Sequence, residues 1–166
     1  MPRSVTAILI AADGADHLRD TLDAITMQSR LPDRLVVVQL GTSPVTSTII
    51  DGVEPTVHAR VAVRAAFGHA VETGVKSAGI EAVEQEWLWL LAGDNAPEAS
   101  ALERLLHAVE ASPSVAVAGP KQMQWDAPDY LHSFGETMTP WGTAVEMAEP
   151  ELDQAQYDRH LSLIHI

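Results

Sequence analysis

Cysteine is absent from this chain of 166 residues, which excludes disulfides, thiolate nucleophiles and cysteine-ligated zinc. Basic residues are scarce. Ten lysines and arginines stand against 23 aspartates and glutamates, a formal net charge of −13, so a sequence-independent grip on phosphate backbones is not expected and nucleic acid is not a predicted partner. Long apolar runs are missing too: runs such as WLWLLA at 87–92 are far below the roughly 20 residues that a membrane helix needs. The opening stretch, MPRSVTAILIAADGADHL, reaches Asp13 and Gly14 too soon for a signal peptide. These absences predict a soluble, cytoplasmic protein. The seven histidines show no HExxH or comparable metal spacing, so each is expected as a surface or packing residue.

What is present is an ordinary globular composition, 46% hydrophobic and 20% charged, in a chain long enough to bury a core without staples. Apolar runs rich in β-branched residues, VTAILIAA (5–12) and RLVVVQL (34–40), read as strands covered on both faces. VHARVAVRA (57–65), EQEWLWLLA (84–92) and SVAVAGP (114–120) read as three more. Between them lie helical patterns: Leu18, Leu22 and Ile25, then a short helix after GTSPVTSTIIDG begins, then Val71, Val75 and Ala78. A last helix is predicted from Pro97 and Glu98 in its first turn to Leu102, Leu105, Leu106 and Val109 on its apolar stripe. Strands and helices alternating at this spacing imply an α/β fold with a mostly parallel sheet and flanking helices.

In such sheets ligands gather beyond the carboxyl ends of the strands. Four places qualify: Ala12-Asp13-Gly14, Gln39-Leu40-Gly41-Thr42, the Phe67-Gly68 turn and Gly93-Asp94-Asn95. All four are expected on one rim. Each residue has a plain structural reading beside the functional one. Asp94 is a metal or diphosphate contact, or a turn residue; Asp13 is a donor-site residue, or the cap of the next helix; Gln39 is a nucleoside contact, or the polar end of a strand. Trp87 and Trp89 share one strand face and are expected in packing.

The stretches VTAILIAADGADHLRDTLDAITMQSRLPDRLVVVQLGTS, FGHAVETGVKSA and EWLWLLAGDNAPEASALERLLHAVEASPSVAVAGPKQ, in this order, resemble the nucleotide-sugar-binding portion of an inverting family 2 glycosyltransferase of the GT-A (Rossmann-like) fold, actinobacterial in type. The resemblance runs from about Val5 to Tyr157. It implies transfer of a sugar from a UDP- or dTDP-linked donor to a glycan or lipid acceptor, as in the making of cell-envelope glycans, at the inner face of a membrane when the enzyme is whole. It also implies that the first two strand ends hold the nucleoside, and that carboxylates after the fourth hold Mg²⁺ or Mn²⁺ on the diphosphate, since a hard cation offsets the charge that the leaving group develops. On this resemblance Ala12, Asp13, Gln39, Gly41, Thr42, Gly68, Gly93, Asp94 and Asn95 line the donor site, with Asp94 as the metal ligand. Gln39 stands where the family usually has an aspartate, Pro44 where a second one is frequent, and the metal motif is reduced to Gly93-Asp94-Asn95.

The family keeps its acceptor site and general base in a further stretch of chain. Residues 1–160 are accordingly read as the donor-binding portion and 161–166, LSLIHI, as a non-native tail left out of fold reasoning. A metal-independent nucleotide-binding pseudo-enzyme and a plain α/β interaction module are the alternatives. With no second half to cover it, an apolar patch is expected near Trp125, Tyr130, Phe134 and Trp141.

Overall fold

The computed structural model describes residues 4–14, 16–80, 86–111, 114–139, 141, 143–146, 148, 150–157 and 162–165. The chain divides into two compact units, Met1–Leu102 and Glu103–Ile166. The first holds the sheet. Strands β1 (Ser4–Ala12), β2 (Arg34–Leu40), β3 (Val57–Val61) and β4 (Glu86–Ala92) lie in the order β3-β2-β1-β4, every pair parallel. Helices α1 (Leu18–Thr26), α2 (Pro44–Asp51) and α3 (Phe67–Ser77) make the crossovers, and α4 (Ala101–Glu110) follows β4.

The continuous apolar run of β1 is explained by its place at the centre of the sheet, where residues Val5 to Ala11 are all buried. Its alternate residues feed two cores. On one face Leu9 and Ala11 pack with Val37, Leu91 and the α1 stripe Leu18, Leu22 and Ile25, and Trp89 lies against that cluster. On the other Ile8 and Ile10 pack with Val36, Val38 and Ala70, with Val71, Val75 and Ala78 alongside. The α3 helix sits close because position 74 is glycine: a Cβ there would fall 3.0 Å from Val38 Cγ2 and 3.1 Å from Ile8 Cγ2. Facing solvent on β4, Leu88 and Leu90 remain 39% and 45% exposed. Among the described residues no helix is long and apolar enough to cross a membrane.

At the amino-terminal edge of the sheet a polar cluster joins three strands. The Thr6 hydroxyl donates to Glu86 Oε1 at 2.6 Å, Arg34 Nε donates to Thr6 Oγ1 at 3.0 Å, and Arg34 pairs with Glu86. Burial alone would push the Glu86 carboxyl up, but the bonds from Thr6 and Arg34 outweigh it and hold it below its ordinary value of 4.5. A depressed carboxyl stabilises the fold fully above its unfolded value and loses that contribution as pH falls through the folded one. Glu86→Gln should therefore lower stability at pH 7 and flatten its decline below about pH 4.5, which urea titrations of both proteins between pH 2 and 7 would show. An unchanged acid limb would mean that Glu86 is not a contributor.

Three expectations need correction. The final helix begins at Ala101 and not at Pro97. The carbonyls of Pro97 and Glu98 instead accept from the Gln28 side chain, which ties this stretch to the end of α1. The predicted fifth strand is not part of the parallel sheet: β5 (Val115–Gly119) lies in the second unit, antiparallel to β10 (Ser162–His165) within the stretch set aside as a tail. Lastly, Phe134 is not exposed. It is buried with Leu131 and Ala148 and stacks on Tyr157 at 4.5 Å, whereas Trp125, Tyr130 and Trp141 do face solvent at 41%, 47% and 91% exposure. Among its described residues that unit also holds most of α4 and two short antiparallel pairs, β6 (Gln122–Met123) with β7 (Leu131–Ser133) and β8 (Glu136–Met138) with β9 (Ala144–Glu146).

Candidate functional site

Parallel pairing sends the carboxyl ends of the four strands to one rim. Register puts them level: Ala12 is opposite Leu40, Leu40 opposite Val61, and Ile10 opposite Ala92. Asp13, Gln39, Gly41 and Thr42 form one connected corner. The Asp13 backbone N–H donates to Leu40 O at 3.2 Å, its Oδ1 accepts from Gln39 Nε2 at 2.8 Å and its Oδ2 from the Ser43 backbone N–H at 2.9 Å. Gly41 donates its N–H to Val61 O at 3.0 Å and has φ +107°; a Cβ there would lie 2.1 Å from Asp13 Oδ2. Only glycine leaves the carboxylate its room. The Gln39 amide holds Asp13 below its ordinary carboxylate range, against the cost of desolvation, and the N–H groups of Ser43 and Thr42 add to the effect.

Asp13 does not cap the helix that follows it, since the N-cap position of α1 is His17 and carries no side-chain cap bond. It braces the start of α2 instead. There Ser43 is the N-cap, its Oγ accepting from the Thr46 N–H at 3.3 Å, and Pro44 fills the first turn, where its missing N–H costs nothing. Behind this corner Gln39 is wholly buried. Its Nε2 also donates to Ser43 O at 3.1 Å, while its Oε1 accepts from Ser47 Oγ at 2.9 Å and faces His58 Nε2 at 3.1 Å and Arg60 Nε at 3.5 Å. The other ring nitrogen of His58 lies 3.0 Å from Asp51 Oδ1.

After β4 the chain turns sharply. The Gly93 N–H donates to Ile10 O at 2.9 Å, and the glycine is confined, a Cβ there falling 3.4 Å from that same oxygen and 3.5 Å from Leu18 Cδ1. Asn95 spends its side-chain oxygen on the Ala92 N–H at 3.0 Å, closing the turn on itself. Its Nδ2 reaches Asp94 Oδ1 at 3.5 Å, and Asp94 stands exposed. Of the three residues, Asp94 alone offers a carboxylate to a ligand. Among the described residues no group of three or more histidines, aspartates or glutamates forms a metal cluster. Gly68 sits in the first turn of α3 with open space around the place of a Cβ, so packing does not require glycine there.

Sequence reasoning missed four participants. Ser43-Pro44 is a capping signature that could have been read directly. His58 and Arg60 share one face of β3 by simple alternation, and His58, expected as a plain surface or packing residue, bridges Asp51 and Gln39. Gln28 follows Ile25 by three residues, a polar residue continuing the apolar stripe of α1, and is 5% exposed. Its Nε2 donates to Glu98 O at 2.8 Å and to Ala24 O at 3.0 Å, and its Oε1 accepts from the Leu102 N–H at 3.0 Å. With the Ser29 N–H donating to Ala99 O at 2.7 Å, it fastens the segment after Asp94-Asn95 to the end of α1.

Comparison with known proteins gives two findings. The family described as Glycosyltransferase like family 2 matches residues 2–164. The galactofuranosyltransferase GlfT1 of Mycobacterium tuberculosis, in two strains, is 31% identical over 135 residues, which cover 79% of this chain and 43% of the relative. The chain thus spans less than half the length of the curated relatives it matches.

Proposed function

Because the chain belongs to glycosyltransferase family 2, we propose that it forms the donor side of an enzyme that moves a sugar from a nucleoside diphosphate to a hydroxyl of a glycan or lipid. The observation that carries this reading is the corner at the ends of β1 and β2, where Gly41 opens space for an anchored carboxylate beside an exposed threonine. A carboxylate with fixed orientation accepts from N–H and O–H groups, which suits the base or ribose of a nucleotide. The diphosphate then lies toward Gly93, Asp94 and Asn95. In the reaction the bond between the anomeric carbon and the phosphate oxygen breaks with its electron pair leaving on the diphosphate, the acceptor oxygen bonds to that carbon, and the acceptor proton passes to a base.

The residues after β4 fit a divalent cation in one way: Mg²⁺ is commonly held by one or two carboxylates together with substrate phosphates, and Asp94 supplies one. Bound there, Mg²⁺ or Mn²⁺ would offset the charge on the leaving diphosphate. Asp94→Asn should remove most metal-dependent nucleotide-sugar affinity and leave the fold intact, with stability shifted by at most about 1 kcal/mol because asparagine serves in turns and caps about as well. Titration of UDP, a UDP-sugar and a dTDP-sugar, each with Mn²⁺ and with a chelator, tests both parts. With one carboxylate the metal effect on the unaltered chain should be modest. The name of the GlfT1 relatives makes galactofuranose the first donor sugar to try.

A second reading draws on the engaged side-chain oxygen of Asn95, which leaves the cation a single protein ligand from this turn: nucleotide binding without metal, as in a pseudo-enzyme. Equal UDP-sugar affinity with Mn²⁺ and with chelator would favour it. No binding of either nucleotide sugar would overturn the donor reading.

A further inference from the structure

We propose that Gln39 is a positioning residue and not a donor contact: its buried amide locks the Asp13 carboxylate against the Gly41–Ser43 turn, so that Asp13 becomes the polar side chain this corner presents to the nucleoside. The proposal rests on the donor reading above. It begins from saturation. A glutamine amide has two N–H donors and an oxygen with two lone pairs. Here Nε2 faces two acceptors, Asp13 Oδ1 and Ser43 O, and Oε1 takes the Ser47 hydroxyl and faces Arg60 and His58. Nothing is left for a ligand, and at 0% exposure none reaches it.

The surroundings also fix which way the amide points. Flipping it would set Oε1 against the oxygens of Asp13 and Ser43 and turn Nε2 toward the Arg60 guanidinium, so the observed orientation is the one the neighbours permit. A run of polar groups therefore crosses the rim, from Asp51 through His58 and Gln39 to Asp13, with separations of 3.0, 3.1 and 2.8 Å. It ties β3 and α2 to the one carboxylate that Gly41 makes room for. Asp13 itself remains partly exposed. Thr42, next in the turn, is exposed as well, and Gln39, which is not, holds Asp13 directly and the turn through the Ser43 carbonyl.

The test uses the full chain, UDP as the probe, and two variants. Gln39→Met keeps the side-chain length and removes every amide bond. Ser47→Ala is milder: it removes one donor from Oε1, with the hydroxyl's contacts to Ser43 O and Arg60, and leaves the partners of Asp13 in place. UDP affinity by calorimetry should fall about tenfold or more in Gln39→Met and about two- to threefold in Ser47→Ala, as expected when a charge-assisted bond no longer orders its partner or is only weakened. In parallel, carboxyl-carbon NMR should show the Asp13 titration moving up toward the ordinary carboxylate range in the same order. Weaker UDP binding with an unmoved Asp13 titration would make Gln39 a direct contact and overturn the proposal. So would a displaced Asp13 titration with UDP affinity unchanged. An unaltered chain that binds no UDP would count against the donor reading itself, a failure seen before either variant is compared.

Discussion

Gly41→Ala should be among the most damaging single substitutions at this rim, lowering stability by about 3–5 kcal/mol and abolishing measurable UDP binding. Two costs combine. The backbone at φ +107° is one that alanine adopts only under strain, about 1–3 kcal/mol. The new Cβ would also lie 2.1 Å from Asp13 Oδ2 and 2.8 Å from its Cγ, so the carboxylate has to leave its bonds to Gln39 and Ser43, worth about 1.5–3 kcal/mol where one partner is charged. Gly14→Ala is the control, because Gly14 shares a positive φ of +77° but has nothing within 4 Å of the place of a Cβ. It should cost only the backbone strain. Urea midpoints of the two variants decide the matter: equal losses would mean that the Asp13 clash is relieved cheaply. Adding Asp13→Gly to Gly41→Ala should then recover part of the stability and none of the UDP binding.

Gln28→Leu should cost about 1–3 kcal/mol although the two side chains are similar in size. The substitution strands the Leu102 N–H, which loses its Gln28 partner, and takes one donor from the Glu98 carbonyl, which keeps the Ala101 N–H; a buried backbone group left unpaired is penalised by about 1–3 kcal/mol. The damage should be local as well as global. Hydrogen exchange at the Leu102 amide should quicken well beyond what the fall in global stability explains, because its acceptor has gone. Residues 97–101 should become the preferred site of proteolysis. Gln28→Glu separates the two halves of the fastening: it keeps an acceptor for Leu102 and loses the donor to Glu98, so its cost should fall between. A neutral Gln28→Leu would show that this segment is held by the Ser29–Ala99 bond without Gln28.

The α/β architecture was legible because two physical periods were unmixed in the sequence. Apolar runs rich in β-branched residues such as 5–12 read as strands buried on both faces, and Leu18, Leu22 and Ile25 read as one helical stripe. The rim followed from connectivity, since parallel strands joined by helices must end on the same side. What the sequence could not give was the partner of each polar residue. Gln39 looked like a ligand-facing strand end because nothing local says that Ser47, His58 and Arg60 converge on it from two other elements. The late start of α4 was equally hidden: Pro97 and Glu98 have ideal first-turn chemistry, and a glutamine some seventy positions earlier overrides it. The antiparallel pair of β5 and β10 lay beyond reach for a simpler reason, as one of its strands had been set aside.

The central position of β1 bears on how this chain comes off the ribosome. Its partner on one side, β2, begins at Arg34, but its partner on the other, β4, begins only at Glu86. At a synthesis rate of about 5–20 residues per second, one edge of the most apolar strand in the protein waits several seconds for its neighbour. An open, flat, apolar edge is a template for any other extended chain nearby. The bond from Thr6 to Glu86, spanning 80 positions, therefore closes late, and growth conditions that slow the middle of translation would lengthen the interval in which nascent copies can find each other instead.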